Sequence, residues 1–520
     1  MIFTSRGKHL TLSETQRFLL LSVLIGIFAG LMVVCFHICI DFISWSSLGA
    51  LSGKFRFERL FAPVLGALLA TLLATRVFPA ARGSGVNQTK AALYISNGYV
   101  PFSTVAGKFL ACSIAIGSGN SLGPEDPSLQ MGAGIASLLG RMFRLGRKNM
   151  RLIAPVGAAA GIAAAFNTPI SGVLFVMEEV VAAWNAGVVG SILLSAVSAV
   201  VVTRWFLGNE PLFRVPIFEL RHPSELAVYA LIGVIGGLLS GMFVKLVEEF
   251  HRRRQHFPHW TRLLQVAAAG LLVGIIGLWL PEIMGAGYDA IDYALHNRFA
   301  WDLLLVLGGA KMVATLGCFG TEIPGGMFAP TLFMGAMIGG GLGGLAHRYW
   351  PFPTSSAGAY VLVGMGTFFA GVFRAPMTSI FMVFEVSASY VIILPVMIAN
   401  TISYFISRRL HPVPFFTMLA YQEGVDLPSA EEYRSTESLH VEDAMQPVPE
   451  SVSLGQAPRV YPDLPLDAVL RLLSHYSLLP VVARNDPNHF IGAISLEDVH
   501  RAYGIDANIH ENSVQPDAPP

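Results

Sequence analysis

The stretch KFLACSIAIGSGNSLGPEDPSLQMGAGI, Lys108 to Ile135, and the stretch KMVATLGCFGTEIPGGMFAPTLFMGAMI, Lys311 to Ile338, decide the fold. Sliding the chain on itself by 203 places sets Lys108 on Lys311, Gly117 on Gly320, Gly123 on Gly326, Pro127 on Pro330 and Met131 on Met334, and ten of the 28 positions are identical. After a slip of four residues the register resumes, with Gly157 on Gly364, Phe166 on Phe373, Pro169 on Pro376 and Glu178 on Glu385. Shared Lys, Phe, Pro and Glu are not what a chance overlap of small residues produces. The chain therefore contains a duplicated unit, at about 16–206 and 224–410.

Working outward, the repeats lie in a strongly apolar chain of 520 residues, 53% hydrophobic and only 13% charged, with a mean hydropathy of +0.58. Soluble chains carry about 25% charge, so a soluble enzyme is excluded for most of the length. Ten uncharged stretches follow one another, from Phe18–Ile40 to Val386–Ser407. Several are shorter than the roughly 20 residues a straight span needs and many are cut by Gly or Pro, so broken and re-entrant helices are expected. Irregular backbone survives at membrane depth only when it is buried in protein or lines a polar cavity, so the breaks point to a transport pathway. The 34 basic and 34 acidic residues balance, which gives no reason to expect nucleic acid as a partner. Cys35, Cys39, Cys112 and Cys318 sit in apolar runs without metal-ligand spacing and are expected to be buried small hydrophobes, with no metal and no cofactor. The run after Arg17 is too long for a signal-peptide core and is expected to stay as a first membrane helix, with Ser13 and Gln16 spaced as a capping box.

The loop after the first motif carries Arg141, Arg144, Arg147, Lys148 and Arg151, whereas the equivalent 347–356 has only Arg348. The positive-inside rule puts these loops on opposite sides, which makes the repeats inverted. Arg252 to Arg254, Arg408 and Arg409 place both ends of the membrane part, 1–410, in the cytoplasm, and a bacterial inner membrane is the expected location. From His411 Pro, Asp, Glu and Ser rise. Residues 411–439 read as a linker, 440–506 as a small α/β domain and 507–520 as a disordered tail. In the small domain, Ala468–Leu473 reads as helix, Leu479–Ala483 and Phe490–Ile494 as strands, and Leu496–Tyr503 as a helix capped by Ser495.

Three glycine-rich breaks each precede or open a helix: Gly83-Ser84-Gly85, the run Gly123 to Pro127, and the run Gly325 to Pro330. Each presents unpaired N–H groups and the positive end of a helix dipole, which bind anions. Because partial charges and not Lys or Arg do the binding, a small monovalent anion is held without being trapped. Glu125 is an ionisable group at such a helix start, and at membrane depth that makes it a functional candidate. The alternative is a charge that merely stabilises its helix. Asp126 beside it suits that capping task.

These breaks, the Asn167-Thr168-Pro169 turn and the Glu178-Glu179 pair resemble the chloride channel and chloride/proton exchanger family, commonly called CLC, over the whole membrane part. The family's GSGxPE, GREGP and GxFxP signatures stand here as GSGVNQ, GPEDP and GMFAP. The resemblance implies an all-α, inverted-repeat membrane fold and a homodimer with one pathway per subunit. It also implies that Ser84 and Gly85 together with the N–H groups of Met327 and Phe328 hold the central anion. Glu125 matches the external gate and Glu179 the internal proton glutamate, and an acid at Glu179 favours coupled exchange over a passive channel. The repeat pairing of Glu178 with Glu385 suggests a structural role for those two. The sequence departs from the pattern at Pro124, Asp126, Asn87 and Gln88, and the tyrosine that touches the central anion falls at Phe415 or Phe416. Residues 440–506 resemble a CBS domain through Val441–Met445, Leu479–Val482 and Gly492–Asp498. Some such modules place the equivalents of Ser495 and Asp498 on an adenosine ribose, although a single copy suits packing better than adenine-nucleotide sensing.

Chloride/proton antiport is the expected activity. A passive chloride channel of the same fold is the close alternative, a fluoride exporter a further one. An intramembrane enzyme is disfavoured because the 14 histidines contain no HExxH spacing.

Overall fold

A computed structural model describes residues 14–49, 58–181, 186–209, 212–213, 215–216, 220–425, 427, 439–447, 457–484 and 486–502. The first repeat contains α1 (Glu14–Leu48), α2 (Glu58–Leu72), α3 (Gly85–Tyr94), α4 (Phe102–Gly117), α5 (Glu125–Met142), α6 (Arg147–Arg151), α7 (Ile153–Phe166), α8 (Pro169–Phe175) and α9 (Ala186–Leu207). The second contains α10 (Glu225–Gln255), α11 (Arg262–Trp279), α12 (Tyr288–Leu295), α13 (Trp301–Gly320), α14 (Phe328–Tyr349), α15 (Ala357–Phe373), α16 (Pro376–Ser387) and α17 (Ile393–Leu410), after which comes α18 (Phe415–Gln422). Among the described residues, eight helices are long and apolar enough to cross a membrane.

The halves pack alike. α5 lies on α7 as α14 lies on α15, and α1 on α9 as α10 on α17, while α2 meets α11 and α8 meets α16 across the repeats. Such reciprocal contacts are what a two-fold relation between repeats produces. The close helix pairs need glycine. A Cβ on Gly157 would lie 2.1 Å from the Gly132 carbonyl oxygen, and one on Gly364 would lie 2.2 Å from that of Gly335. Small residues let helices approach closely where apolar burial against lipid gives little drive. Both repeats also end the buried helix alike: Asn167 and Arg374 take left-handed φ of 58°, and Pro169 and Pro376 open the next helix.

Two expectations need correction. Cys112 and Cys318 are buried, but Cys35 is exposed and Cys39 half-buried, because α1 turns one face outward with Leu20, Phe28, Ile38 and Phe42. The stretch 411–422 is not a bare linker. α18 buries Phe415 to Ala420 in the membrane unit, whose compact body runs to Ser429.

The second unit, Ala430–Pro520, contains α19 (Val441–Ala444), α20 (Leu466–Leu473), an antiparallel pair of β1 (Leu478–Ala483) and β2 (Asp486–Ser495), and α21 (Leu496–Ala502). Leu479, Val481 and Ile494 from the strands meet Leu466, Val469 and Val499 from the helices in a small core. The elements expected here are present with ends moved by a few residues. Ser13 and the tail 507–520 lie outside the described residues.

Candidate functional site

The two halves of the duplicated motif meet at their breaks. Gly123 and Gly326 exchange both backbone hydrogen bonds, each 2.8 Å, so the turns before α5 and α14 form one antiparallel bridge. α5 starts at Glu125 and α14 at Phe328, so two helix N-termini converge on one place. The paired lysines tie down the flanking turns. Lys108 Nζ donates to the Gly83 carbonyl at 2.7 Å, and Lys311 Nζ donates to those of Ile283 and Gly285 at 2.8 and 2.7 Å. Both lysines direct their hydrogen bonds to carbonyls of the flanking turns.

Glu125 is fully buried at this junction. One carboxylate oxygen accepts from the Tyr288 hydroxyl, and the other accepts from the Ala329 N–H at 3.3 Å. The side chain of one repeat's helix start thus reaches across to the start of α14. There the first N–H groups have no acceptor within their own helix.

Asp126 does not cap its own helix, as its position suggested. Its carboxylate crosses to the start of α3, where it accepts from the Gly85 N–H at 2.8 Å, the Val86 N–H at 3.0 Å and the Ser84 hydroxyl at 3.2 Å. Ser84 therefore has its hydroxyl engaged by a carboxylate of the same chain. The Phe328 ring is ringed by phenylalanines, with centroids 4.7 Å from Phe373, 5.0 Å from Phe175, 5.6 Å from Phe369 and 6.1 Å from Phe416. Met327 is buried at the same turn. Phe416 also stacks on Phe373 at 5.3 Å, and its carbonyl accepts from Asn87 Nδ2 at 2.9 Å. Phe415 lies behind, against Phe319 and Phe373. Of the two, Phe416 is the one that reaches Phe328, and the wall there is apolar.

Glu179 lies in a π-helical turn, Val176–Val181, and pairs with buried Lys90 of α3. Its neighbour Glu178 accepts from the N–H groups of Met377 and Thr378 at 3.1 and 2.7 Å and from the Thr378 hydroxyl at 2.6 Å. Glu385 does the same to the other repeat, accepting from the Ile170 and Ser171 N–H groups at 2.9 and 2.7 Å and from the Ser171 hydroxyl at 2.5 Å. Each is an N-terminal cap delivered across the repeat boundary, the structural role their pairing suggested.

A cavity of about 940 Å³ has Gly83 and Ser84 in its lining. Arg76, Arg82, Lys108, Arg254 and Arg262 line it, against the acids Glu322 and Glu423. Arg254 and Glu322 pair at 2.6 Å. Burial pushes the Glu423 carboxyl, in the turn after α18, above the usual carboxylate range. Five basic side chains against two acids make the lining basic, and it includes Ser84 just before α3.

Residues 66–408 match the family model described as voltage gated chloride channel, and 441–504 match that of the CBS domain. The chain belongs to the voltage-gated chloride channel family. Its relatives include a protein of Ralstonia nicotianae, provisionally named a ClcB-like chloride channel protein, 33% identical over 73% of this chain and 91% of that protein. Another is the H(+)/Cl(-) exchange transporter ClcA of Vibrio cholerae, 31% identical over 78% of this chain and 89% of the relative. Among solved structures, a slow cyanobacterial Cl-/H+ antiporter superposes with a TM-score of 0.70 at 24% identity, covering 78% of this chain and 98% of that one, which shows the shared fold. The fold is thus the inverted-repeat fold of this family, and the family is one of membrane transport proteins and not of enzymes.

Against that family frame, two residues of the site were missed from sequence. Tyr288 opens α12 after Gly285-Ala286-Gly287, which a shift of 202 places sets on Gly83-Ser84-Gly85; the second copy of the first break was therefore readable. Lys90 carried a signal as well, being a lone cation within an otherwise uncharged stretch beside the break. In the CBS domain the Asp498 carboxylate accepts from the Ser495 hydroxyl at 2.6 Å and the Ser495 N–H at 3.0 Å, so these two residues bond each other as the cap of α21.

Proposed function

We propose that this chain is a secondary active antiporter that exchanges chloride for protons. The observation that carries the reading is the seat of Glu125: a fully buried carboxylate lies where two helix N-termini meet and accepts from a helix-start N–H that serves a halide equally well. A carboxylate and chloride compete for one site, so protonating Glu125 releases it and lets an anion take its place. That single event links proton and anion movement. Relatives named as H(+)/Cl(-) exchange transporters support the same activity.

In this reading the N–H groups of Met327 and Phe328, with Ser84 and Gly85, receive the anion, and Phe328 with Phe416 supplies the dry wall that strengthens those dipoles. Without a tyrosine hydroxyl at Phe415 or Phe416, the anion loses one hydrogen bond of about 1 kcal/mol net. Glu179 is the internal proton station, and a proton that arrives there replaces the contact with Lys90. The protein works as a homodimer in a bacterial inner membrane, each subunit with its own pathway, and both ends of the membrane part face the cytoplasm. The basic cavity beneath Ser84 is the anion's cytoplasmic entrance. The CBS domain, 440–506, serves packing, since Ser495 and Asp498 are spent on each other and an adenine nucleotide would have to displace that cap.

A passive chloride channel is the second reading, favoured by the Lys90 partner on Glu179. Proteoliposomes with a chloride gradient and no proton gradient separate the two. Exchange predicts that chloride flow moves protons in the opposite direction. Chloride flow without net proton movement makes the protein a channel.

A further inference from the structure

Beside the gate lies a second carboxylate that the reading above does not use. Asp126 is 4% exposed, and among the described residues no Lys or Arg nitrogen lies within ion-pair distance of it. Its charge is held instead by the open end of α3: two backbone N–H groups and one hydroxyl at 2.8, 3.0 and 3.2 Å. This donor set of partial charges suits a small monovalent anion. It also includes Ser84, which lines the basic cavity. An anion that comes up the cavity therefore meets a seat already filled by a negative group tethered to the neighbouring helix. The tether is short. Asp126 follows Glu125 directly, so adjacent residues of α5 fill two separate anion seats, one at α14 and one at α3.

We propose that Asp126 is a resident competitor for the permeating anion at the Ser84–Gly85–Val86 seat, so that the pathway holds two tethered plugs, Glu125 and Asp126, and not one. The proposal rests on the reading of this junction as an anion pathway. No covalent step is involved; Asp126 leaves by side-chain rotation, and the freed N–H and O–H donors turn to chloride. Resident occupation lowers chloride affinity by the fraction of time the seat is filled, and it slows turnover for the same reason. A role confined to capping α3 makes the opposite forecast, since losing a cap loosens the donors that hold the anion.

The test is chloride titration of the full-length protein in detergent by calorimetry, with chloride efflux from proteoliposomes, for the wild type, Asp126→Gly, Asp126→Asn and Glu125→Gln. Asp126→Gly empties the seat and is expected to bind chloride about ten-fold tighter or more, with faster efflux. Asp126→Asn keeps an acceptor for the α3 donors without the charge, so it guards against a simple failure to fold and should give a smaller gain. Unchanged or weaker chloride binding in both folded variants overturns the proposal, as does loss of the folded protein in both. If Glu125→Gln gains chloride affinity while the Asp126 variants do not, this proposal alone fails. If none of the four proteins binds chloride, the reading of the junction as an anion pathway fails with it.

Discussion

Replacing Tyr288 by Phe removes one hydroxyl and little else, and the structure says what that hydroxyl does: it donates to Glu125. The ring stays packed against Phe213, at a centroid distance of 5.9 Å. Among the described residues, the other hydrogen bond placed on that carboxylate from outside its own residue is the Ala329 N–H at 3.3 Å, a long one. A hydrogen bond to a charged group contributes about 1.5–3 kcal/mol. If chloride and the carboxylate compete for one seat, weakening the carboxylate's hold by that amount shifts the competition by about 10- to 150-fold, at 1.4 kcal/mol per decade. Tyr288→Phe should therefore bind chloride more tightly by up to that factor in a calorimetric titration. The cycle with Glu125→Gln completes the argument: once the carboxylate is gone, Tyr288→Phe should have little further effect. An unchanged affinity in Tyr288→Phe, or the same change on both backgrounds, would refute the competition.

Three further outcomes are expected. Lys90→Met takes from buried Glu179 its bond to the ammonium and should lower stability by up to about 3–5 kcal/mol, read as thermal aggregation in detergent, whereas Lys90→Met with Glu179→Gln together should recover most of the loss; no recovery would mean that the pair is not what Lys90 is for. Glu178→Ala takes three hydrogen bonds from the start of α16 and should cost about 1–3 kcal/mol, with Glu385→Ala doing the same to α8; a loss of transport at undiminished stability would contradict the structural role given to both. Gly157→Val places its Cβ 2.1 Å from a carbonyl oxygen between α7 and α5 and should abolish a monodisperse peak in size-exclusion chromatography; a normal peak would show that the helices separate easily.

Much of the fold was legible because duplication repeats its own signals. Lys108 with Lys311 and Glu178 with Glu385 were recognisable as pairs, and each pair proves to make the same bond twice. Helix starts could be read from Gly and Pro, since these residues break helices by local rules. What stayed hidden were the crossings. Asp126 lies on α5 but bonds α3, 40 to 42 residues away, and Tyr288 reaches Glu125 over 163 residues. No spacing rule reports a contact that exists only once the helices are packed. α18 was hidden for a related reason: eight residues are too few to read as a span, and Phe416 is buried by distant rings, Phe328, Phe373 and Phe175.

Coupling is tested most directly by recording chloride efflux and external pH together in the same proteoliposomes, for the wild type, Glu125→Gln and Glu179→Gln. The account predicts that the wild type drives protons against their gradient at the expense of the chloride gradient, that Glu125→Gln passes chloride without protons, and that Glu179→Gln loses proton movement while still passing chloride. Chloride efflux with no proton movement in the wild type would contradict it, as would proton movement that persists when Glu125 is replaced.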